Sequence, residues 1–248
     1  MAVVGTVTWG QDIAEAYDAV HARKADPAVV EPMVDLLAEL AGDGAALELA
    51  IGTGRVALPL AARGVPVHGI ELSAPMVDQL RAKPGADAIP VVIGDMAVTR
   101  VPGQFSLVYL VANTIMNLTT QAEQVAVFEN AAAHLEPGGS FVVEVVVPQL
   151  AAFGPGDPPA RVFAAEPGHA GIETLDDPVG QIASSHHWYD VAGRLLHHAA
   201  PYRYVWPAEL DLMARVAGLA LRDRWEDWHR SPFTAGSPQQ VAVYARPG

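Results

Sequence analysis

The chain has 248 residues, with 15 Lys+Arg against 28 Asp+Glu and a formal charge of −13. The length suits one large domain, and a composition 51% hydrophobic and 17% charged excludes a disordered chain. The absence of cysteine excludes a disulfide scaffold, a thiolate nucleophile and Cys-ligated zinc or iron–sulfur, and the acidic balance disfavours a phosphate backbone as partner. No apolar run approaches the roughly 18 residues of a membrane span. The segment before Arg23 has neither a basic residue nor a small-residue cleavage site, so no secretory signal is expected. These features predict a cytosolic protein whose partner is a small molecule rather than nucleic acid or a membrane.

In chain order, residues 12–24 and 26–41 carry apolar positions at helical spacing. Asp26 is a good N-cap, Pro27 suits the first helical position and Gly42 supplies a stop. From residue 45 short apolar runs (45–50, 65–71, 89–93, 105–112 and 140–147) alternate with helix-like stretches at 55–63, 74–83 and 121–135. Strands and helices in alternation predict parallel βαβ units and a doubly wound, mostly parallel α/β sheet. A Pro- and Gly-rich connection at 151–160 then leads into strand-like pieces over 161–205, an antiparallel excursion. A helix at 207–218, with Pro at its start and Gly at its end, precedes two final strands at 219–228 and 240–246.

Glu48-Leu-Ala-Ile-Gly-Thr-Gly54 closes the first strand of the sheet. Gly52 and Gly54 let the backbone turn tightly and approach a ligand at the switch point of such a sheet; a plain tight turn is the other reading. Glu71 ends the second strand, where a carboxylate can accept from both hydroxyls of a ribose. Its alternative is a helix-entry acid beside the N-cap Ser73. Asp95 follows the third strand and can accept from an exocyclic amine, with Met76 or Met96 against a purine face. Carboxylates at three strand ends suit a ligand with an ammonium, a ribose and an adenine amine better than a dinucleotide with two phosphates.

Together these residues resemble the class I S-adenosylmethionine-dependent methyltransferases, in particular the small-molecule and antibiotic-type enzymes of actinobacteria. The resemblance extends over most of the chain: 48–54 with the Arg-Val-Ala-Leu-Pro-Leu-Ala that follows, Gly-Ile-Glu71-Leu-Ser, Gly94-Asp95-Met96, the run 107–118 and Leu135-Glu-Pro-Gly-Gly139. It implies a Rossmann-like seven-stranded methyltransferase fold, with S-adenosylmethionine as cofactor and S-adenosylhomocysteine as product. It also implies a cofactor site of Tyr17, Arg23, Glu48, Ala50, Gly52, Gly54, Glu71, Leu72, Met76, Asp95, Met96 and Val111. Tyr17 would cover the methionine from a lid helix and Arg23 would meet its carboxylate; an amphipathic anchor and a surface charge are the alternatives. Ala50 departs from the family, which often has Gly there, so an adjusted loop is expected.

On this basis residues 1–44 are a helical lid, 45–148 the nucleoside-binding core, 149–206 a roof over the substrate, and 207–248 the helix and hairpin completing the sheet. If Ala192-Gly193 is a two-residue turn, His187 faces His198 across the ladder. His187 is then the candidate general base, with Asn113, Asn117, His198, Tyr204 and Trp206 as candidate acceptor residues; partly exposed strand histidines are the alternative. No metal is expected at His186-His187 or His197-His198, since adjacent strand residues point to opposite faces. The expected activity is methyl transfer to an O, N or C atom of a small, secondary-metabolite-like acceptor, and a homodimer is plausible. The alternatives are a protein that binds the same nucleoside without transferring methyl, and a nicotinamide-dependent reductase.

Overall fold

The computed structural model describes residues 10–191 and 193–248; residues 1–9 of the expected lid and Ala192 of the expected turn lie outside the described residues. Helix α1 (Gln11–Val20) runs into a 3-10 turn at Ala22–Ala25. The Asp26 carboxylate accepts from the Ala28 amide at 2.9 Å, and Pro27 opens α2 (Pro27–Ala41). Gly42, at φ 55°, ends it in the left-handed region that a side chain would resist.

The parallel strands are β1 (Ala46–Leu49), β2 (Val67–Glu71), β3 (Val91–Ile93), β4 (Phe105–Leu110) and β5 (Leu135–Val146). They alternate with α3 (Ala57–Ala62), α4 (Ala74–Arg81) and α5 (Gln121–His134). After the excursion come α6 (Pro207–Val216), then β10 (Ala220–Trp225) and β11 (Gln239–Ala245). The spatial order is β10-β11-β5-β4-β1-β2-β3, with β11 antiparallel to both β5 and β10. Connections run outward from β1 through β2 to β3, then return to β4. This reversal leaves a crevice beyond the carboxyl ends of β1 and β4.

Both faces of the sheet are covered, and neighbouring residues divide between them. Leu107 and Tyr109 join the cluster formed with α2 and α3, whereas Val108 and Leu110 join that of α5 and α6. On the second face Phe128 meets Phe141 and Tyr244 edge-on at 5.1 and 5.5 Å. One expectation changes here: α2 belongs to the core, with Val30, Met33, Val34 and Leu37 buried, so α1 alone extends beyond the sheet as a cover.

Residues 160–203 form a separate antiparallel sheet rather than an extension of the main one. It consists of β6 (Ala160–Glu166), β7 (His169–Asp177), β8 (Ile182–Val191) and β9 (Arg194–Arg203) in sequential order. His187 lies opposite His198, the register a two-residue turn requires. Arg203, 5% exposed, ties the sheet to the core by donating to Gln124 of α5 at 2.5 Å and Glu209 of α6 at 2.6 Å. The first of the two final strands is shorter than the sequence suggests. Only Trp225 of the 225–229 segment is in a strand, and Trp228 folds back to donate to Glu144 at 3.0 Å.

Candidate active site

The crevice at the β1–β4 switch point is a cleft. Its walls bring together eight of the expected cofactor residues: Tyr17, Ala50, Gly52, Glu71, Leu72, Met76, Asp95 and Met96. The glycine loop is held by Glu71, whose two carboxylate oxygens accept from the backbone amides of Gly52 at 2.8 Å and Ser73 at 2.9 Å. Burial raises the Glu71 pKa against the lowering effect of these amide bonds. Each oxygen keeps a further lone pair for a ligand hydroxyl. Asp95 uses one oxygen on the Ala97 amide at 2.8 Å. Leu72, Met76, Met96 and Leu118 supply apolar wall between the two acids. A nucleoside, apolar on its ring faces and polar at its edges, fits this combination.

Gly52, at φ 58°, leaves room at its Cβ position, the nearest atom being Met76 Cε at 3.5 Å. Ala50 adopts φ 55° despite its side chain. An L residue there carries about 1–2 kcal/mol of backbone strain. Glycine would relieve the strain but gain unfolded-state entropy. Ala50→Gly is therefore expected to stabilise the fold by about 0.5–1 kcal/mol, read as a higher denaturant midpoint with an unchanged slope.

Helix α1 closes the cleft. Thr53 donates to Asp18 at 2.6 Å, Lys83 pairs with Asp18 at 2.5 Å, and Lys83 also donates to the Thr53 carbonyl at 2.8 Å. These bonds pin the helix over the loop and place Tyr17 on the wall, its ring stacked on His21 at 4.3 Å. Burial raises the Tyr17 pKa.

Several expected residues stand elsewhere. Glu48 is 4% exposed and off the cleft wall; it accepts from the Tyr109 hydroxyl at 2.9 Å, and burial pushes its carboxyl up to about 8. Gly54, at φ 82°, is a packing position, because a Cβ would lie 2.3 Å from Leu80 of α4. Val111 is buried in the α2–α3 cluster with Trp228. Arg23 points outward from the 3-10 turn, 84% exposed, and pairs with Glu166 at 2.6 Å. Its neighbour Lys24 is also exposed but points about 120° away around the 3-10 turn, where it lines the second cavity.

A second cavity, of about 160 Å³, lies between α1 and the four-stranded sheet. It shares Tyr17 and Thr114 with the cleft and is walled by His21, Lys24, His187, Tyr189 and His198. Burial lowers the pKa values of His21 and His187 to about 4, with Lys24 a further cause for both, and lowers that of His198. The imidazoles of His21 and His187 are therefore neutral at physiological pH, and His187, expected from the sequence as a general base, is a weak one. Lys24 has its own pKa lowered by burial and by Arg55.

From His187 and Lys24 a wider groove opens toward Asn113, Phe153, Phe163, Tyr202 and Tyr204. Asn113 spends its side-chain oxygen on the Val146 amide at 2.7 Å, and Tyr204 its hydroxyl on the Pro178 carbonyl at 3.2 Å, so both shape the groove. Asn117 and Trp206 lie on none of these walls. Asn117 ends the 3-10 turn Thr114–Asn117, and Trp206, 39% exposed, stands at the entry to α6. His21, Lys24, Thr114, His169 and Tyr189 escaped the sequence reading. Only the neighbourhood of Lys24 to Arg23, and the pairing of His169 with Tyr189 across β7 and β8, were signals that could have found any of them. Among the described residues no group of three or more His, Asp or Glu could hold a metal ion.

Residues 46–139 match a family model described as a methyltransferase domain. The CcbJ methyltransferase from Streptomyces caelestis is similar over 98% of this chain and 100% of its own, with 37% identity and a TM-score of 0.86. The cypemycin N-terminal methyltransferase of a Streptomyces species is 28% identical over 94% of this chain and 95% of its own. A dTDP-3-amino-3,6-dideoxy-alpha-D-glucopyranose N,N-dimethyltransferase from Streptomyces fradiae is 36% identical over 54% of this chain and 52% of its own.

Proposed function

Since the chain belongs to the S-adenosylmethionine-dependent methyltransferases, we propose that it methylates an amine nitrogen of a small molecule seated beneath the four-stranded sheet. The observation that carries this reading is the shared wall of Tyr17 and Thr114 between the nucleoside cleft and the roofed cavity. Two ligands placed on either side of that wall meet there. When bound, S-adenosylmethionine supplies a methyl group on a positively charged sulfur, open to in-line attack by a lone pair. Glu71 and Asp95 would hold the ribose hydroxyls and the adenine amine, with Leu72, Met76 and Met96 against the ring faces.

The acceptor side favours an uncharged nucleophile. A partly enclosed cavity lined by Lys24 disfavours a second cation and so lowers the pKa of an amine seated there, favouring the form that presents its lone pair. An amine freed in this way needs no strong base, which agrees with the lowered pKa of His187. The names of two relatives, the cypemycin N-terminal methyltransferase and the amino-sugar N,N-dimethyltransferase, support the same atom. The acidic, cysteine-free composition supports a cytosolic setting, and among the described residues no helix is long and apolar enough to cross a membrane. Family membership sets aside the nicotinamide-dependent reductase.

The test is incubation with methyl-labelled S-adenosylmethionine and matched panels of amines, alcohols and carbon nucleophiles. Label is expected in amines. Label confined to alcohols or carbon would overturn the choice of atom. Tight cofactor binding with no labelled product in any panel would favour the non-transferring alternative.

A further inference from the structure

His187 stands on the walls of the roofed cavity and of the groove that opens from it. Its Nδ1 lies 3.0 Å from Nε2 of His169 and 2.9 Å from the Tyr189 hydroxyl. The His169 and His187 rings are 4° from parallel, with centroids 5.3 Å apart. That separation is what a 3.0 Å contact between two in-plane nitrogens produces, so a hydrogen between them points along a lone pair. Only one of the two nitrogens can carry it. On its far side His169 presents Nδ1 to Glu166 Oε1 at 3.8 Å, while Glu166 Oε2 is held by Arg23 at 2.6 Å.

A carboxylate beside His169 Nδ1 favours a hydrogen on that nitrogen, because the opposite tautomer would turn a lone pair toward negative charge. His169 Nε2 is then bare and accepts, and the hydrogen of the contact belongs to His187. We propose that Glu166 and His169 act in series to hold His187 as its Nδ1–H tautomer, so that its Nε2 lone pair receives the N–H hydrogen of the acceptor amine. Among the described residues His187 Nε2 has no partner, which leaves it for the cavity. An amine anchored through its hydrogen has its own lone pair turned by the same bond, and Glu166 and His169 are positioning residues for that alignment. Arg23, expected at the cofactor, belongs to this chain of contacts instead.

The other titratable groups around His187 are His21 and Lys24 from the N-terminal elements, His198 from β9, and Tyr189 on its own strand. Burial, with Lys24 nearby, disfavours a charge on His187, so the tautomer, not the protonation state, is the variable. Tyr189 is the rival. If its hydroxyl donates to Nδ1, His187 becomes the Nε2–H form and offers the cavity a donor.

Long-range 1H–15N spectra of histidine-labelled protein near neutral pH decide between them, with the His187 signal assigned by its loss in His187→Gln. The wild type should show the Nδ1–H pattern. Glu166→Gln and His169→Phe should shift His187 toward Nε2–H, whereas Tyr189→Phe should not. His169→Gln, whose side-chain carbonyl can still accept, should retain the wild-type pattern. With a methylated amine in hand, His169→Phe should lower kcat about tenfold, with KM for the methyl donor unchanged. An Nε2–H pattern in the wild type, or a tautomer that follows Tyr189→Phe and not His169→Phe, overturns the proposal. Glu166→Gln lies at a half-exposed position and keeps the test open if His169→Phe fails to fold. The kinetic arm rests on the methyl-transfer reading. Calorimetry with S-adenosylhomocysteine separates the two failures: no binding to the wild type tells against that reading, while intact binding with an unchanged tautomer sinks only this one.

Discussion

Glu48→Gln is expected to be more stable than the wild type at neutral pH, by about 2–3 kcal/mol, and the margin should grow with pH. The Glu48 carboxyl is buried, accepts from Tyr109, and has its pKa raised from 4.5 to about 8, chiefly by desolvation. Below pH 4.5 the group is protonated in both folded and unfolded chains and contributes no pH dependence. Between 4.5 and 8 the unfolded chain ionises while the folded one stays protonated, so stability falls by about 1.4 kcal/mol per pH unit. Above 8 the loss is complete and constant. Glutamine keeps an acceptor for the Tyr109 hydroxyl and does not ionise; its buried NH2 offsets part of the gain. Urea unfolding of both proteins across this range is the measurement. Parallel pH profiles would show that Glu48 is already ionised in the fold.

The cofactor role expected of Glu48 from the sequence has its own test. A ligand ammonium drawing Glu48 into its charged form would release a proton on binding. The heat of S-adenosylhomocysteine binding should then vary with the ionisation enthalpy of the buffer in the wild type and not in Glu48→Gln. Heat that is independent of buffer in both would leave Glu48 a purely structural acid. Stability traded against a functional charge is a common pattern at active sites.

Glu71→Ala is expected to weaken S-adenosylhomocysteine binding by about 1–3 kcal/mol, or roughly tenfold to a hundredfold. It should also lower stability, because the carboxylate accepts from the Gly52 and Ser73 amides, and both would lose their partner. The two effects are separable. Calorimetry well below the variant's melting temperature reports affinity, and denaturant unfolding reports the loop. An unchanged affinity beside a lowered stability would assign Glu71 to the loop alone.

Much of the architecture was legible because its determinants are local. The alternation of apolar runs and helical stretches follows from side-chain periodicity within a few residues, and the caps at Asp26 and Ser73 are read from neighbours. The register of His187 on His198 follows from one turn. Gly52, Glu71, Met76, Asp95 and Met96 of the cleft wall were legible for a related reason, since in a doubly wound sheet the strand ends converge on one crevice, whereas Tyr17, Ala50 and Leu72 followed only from the family resemblance.

What tertiary structure alone decided are properties that depend on distant atoms. Arg23 and Lys24 are adjacent and both basic, and only the packing of the 3-10 turn sets one against Glu166 and the other on the cavity wall. Glu48 and Glu71 are both acids at strand ends. Desolvation outweighs the hydrogen bonds from Tyr109 and Ala57 and pushes the first up to about 8, whereas the second, held by the Gly52 and Ser73 amides, lines the cleft. The coplanar contact of His169 with His187 arises because β7 and β8 lie side by side and bring residues 18 positions apart onto one face. Periodicity assigns a residue to a strand and a side of it; dielectric environment and hydrogen-bond direction come from elements brought together only when the chain has folded.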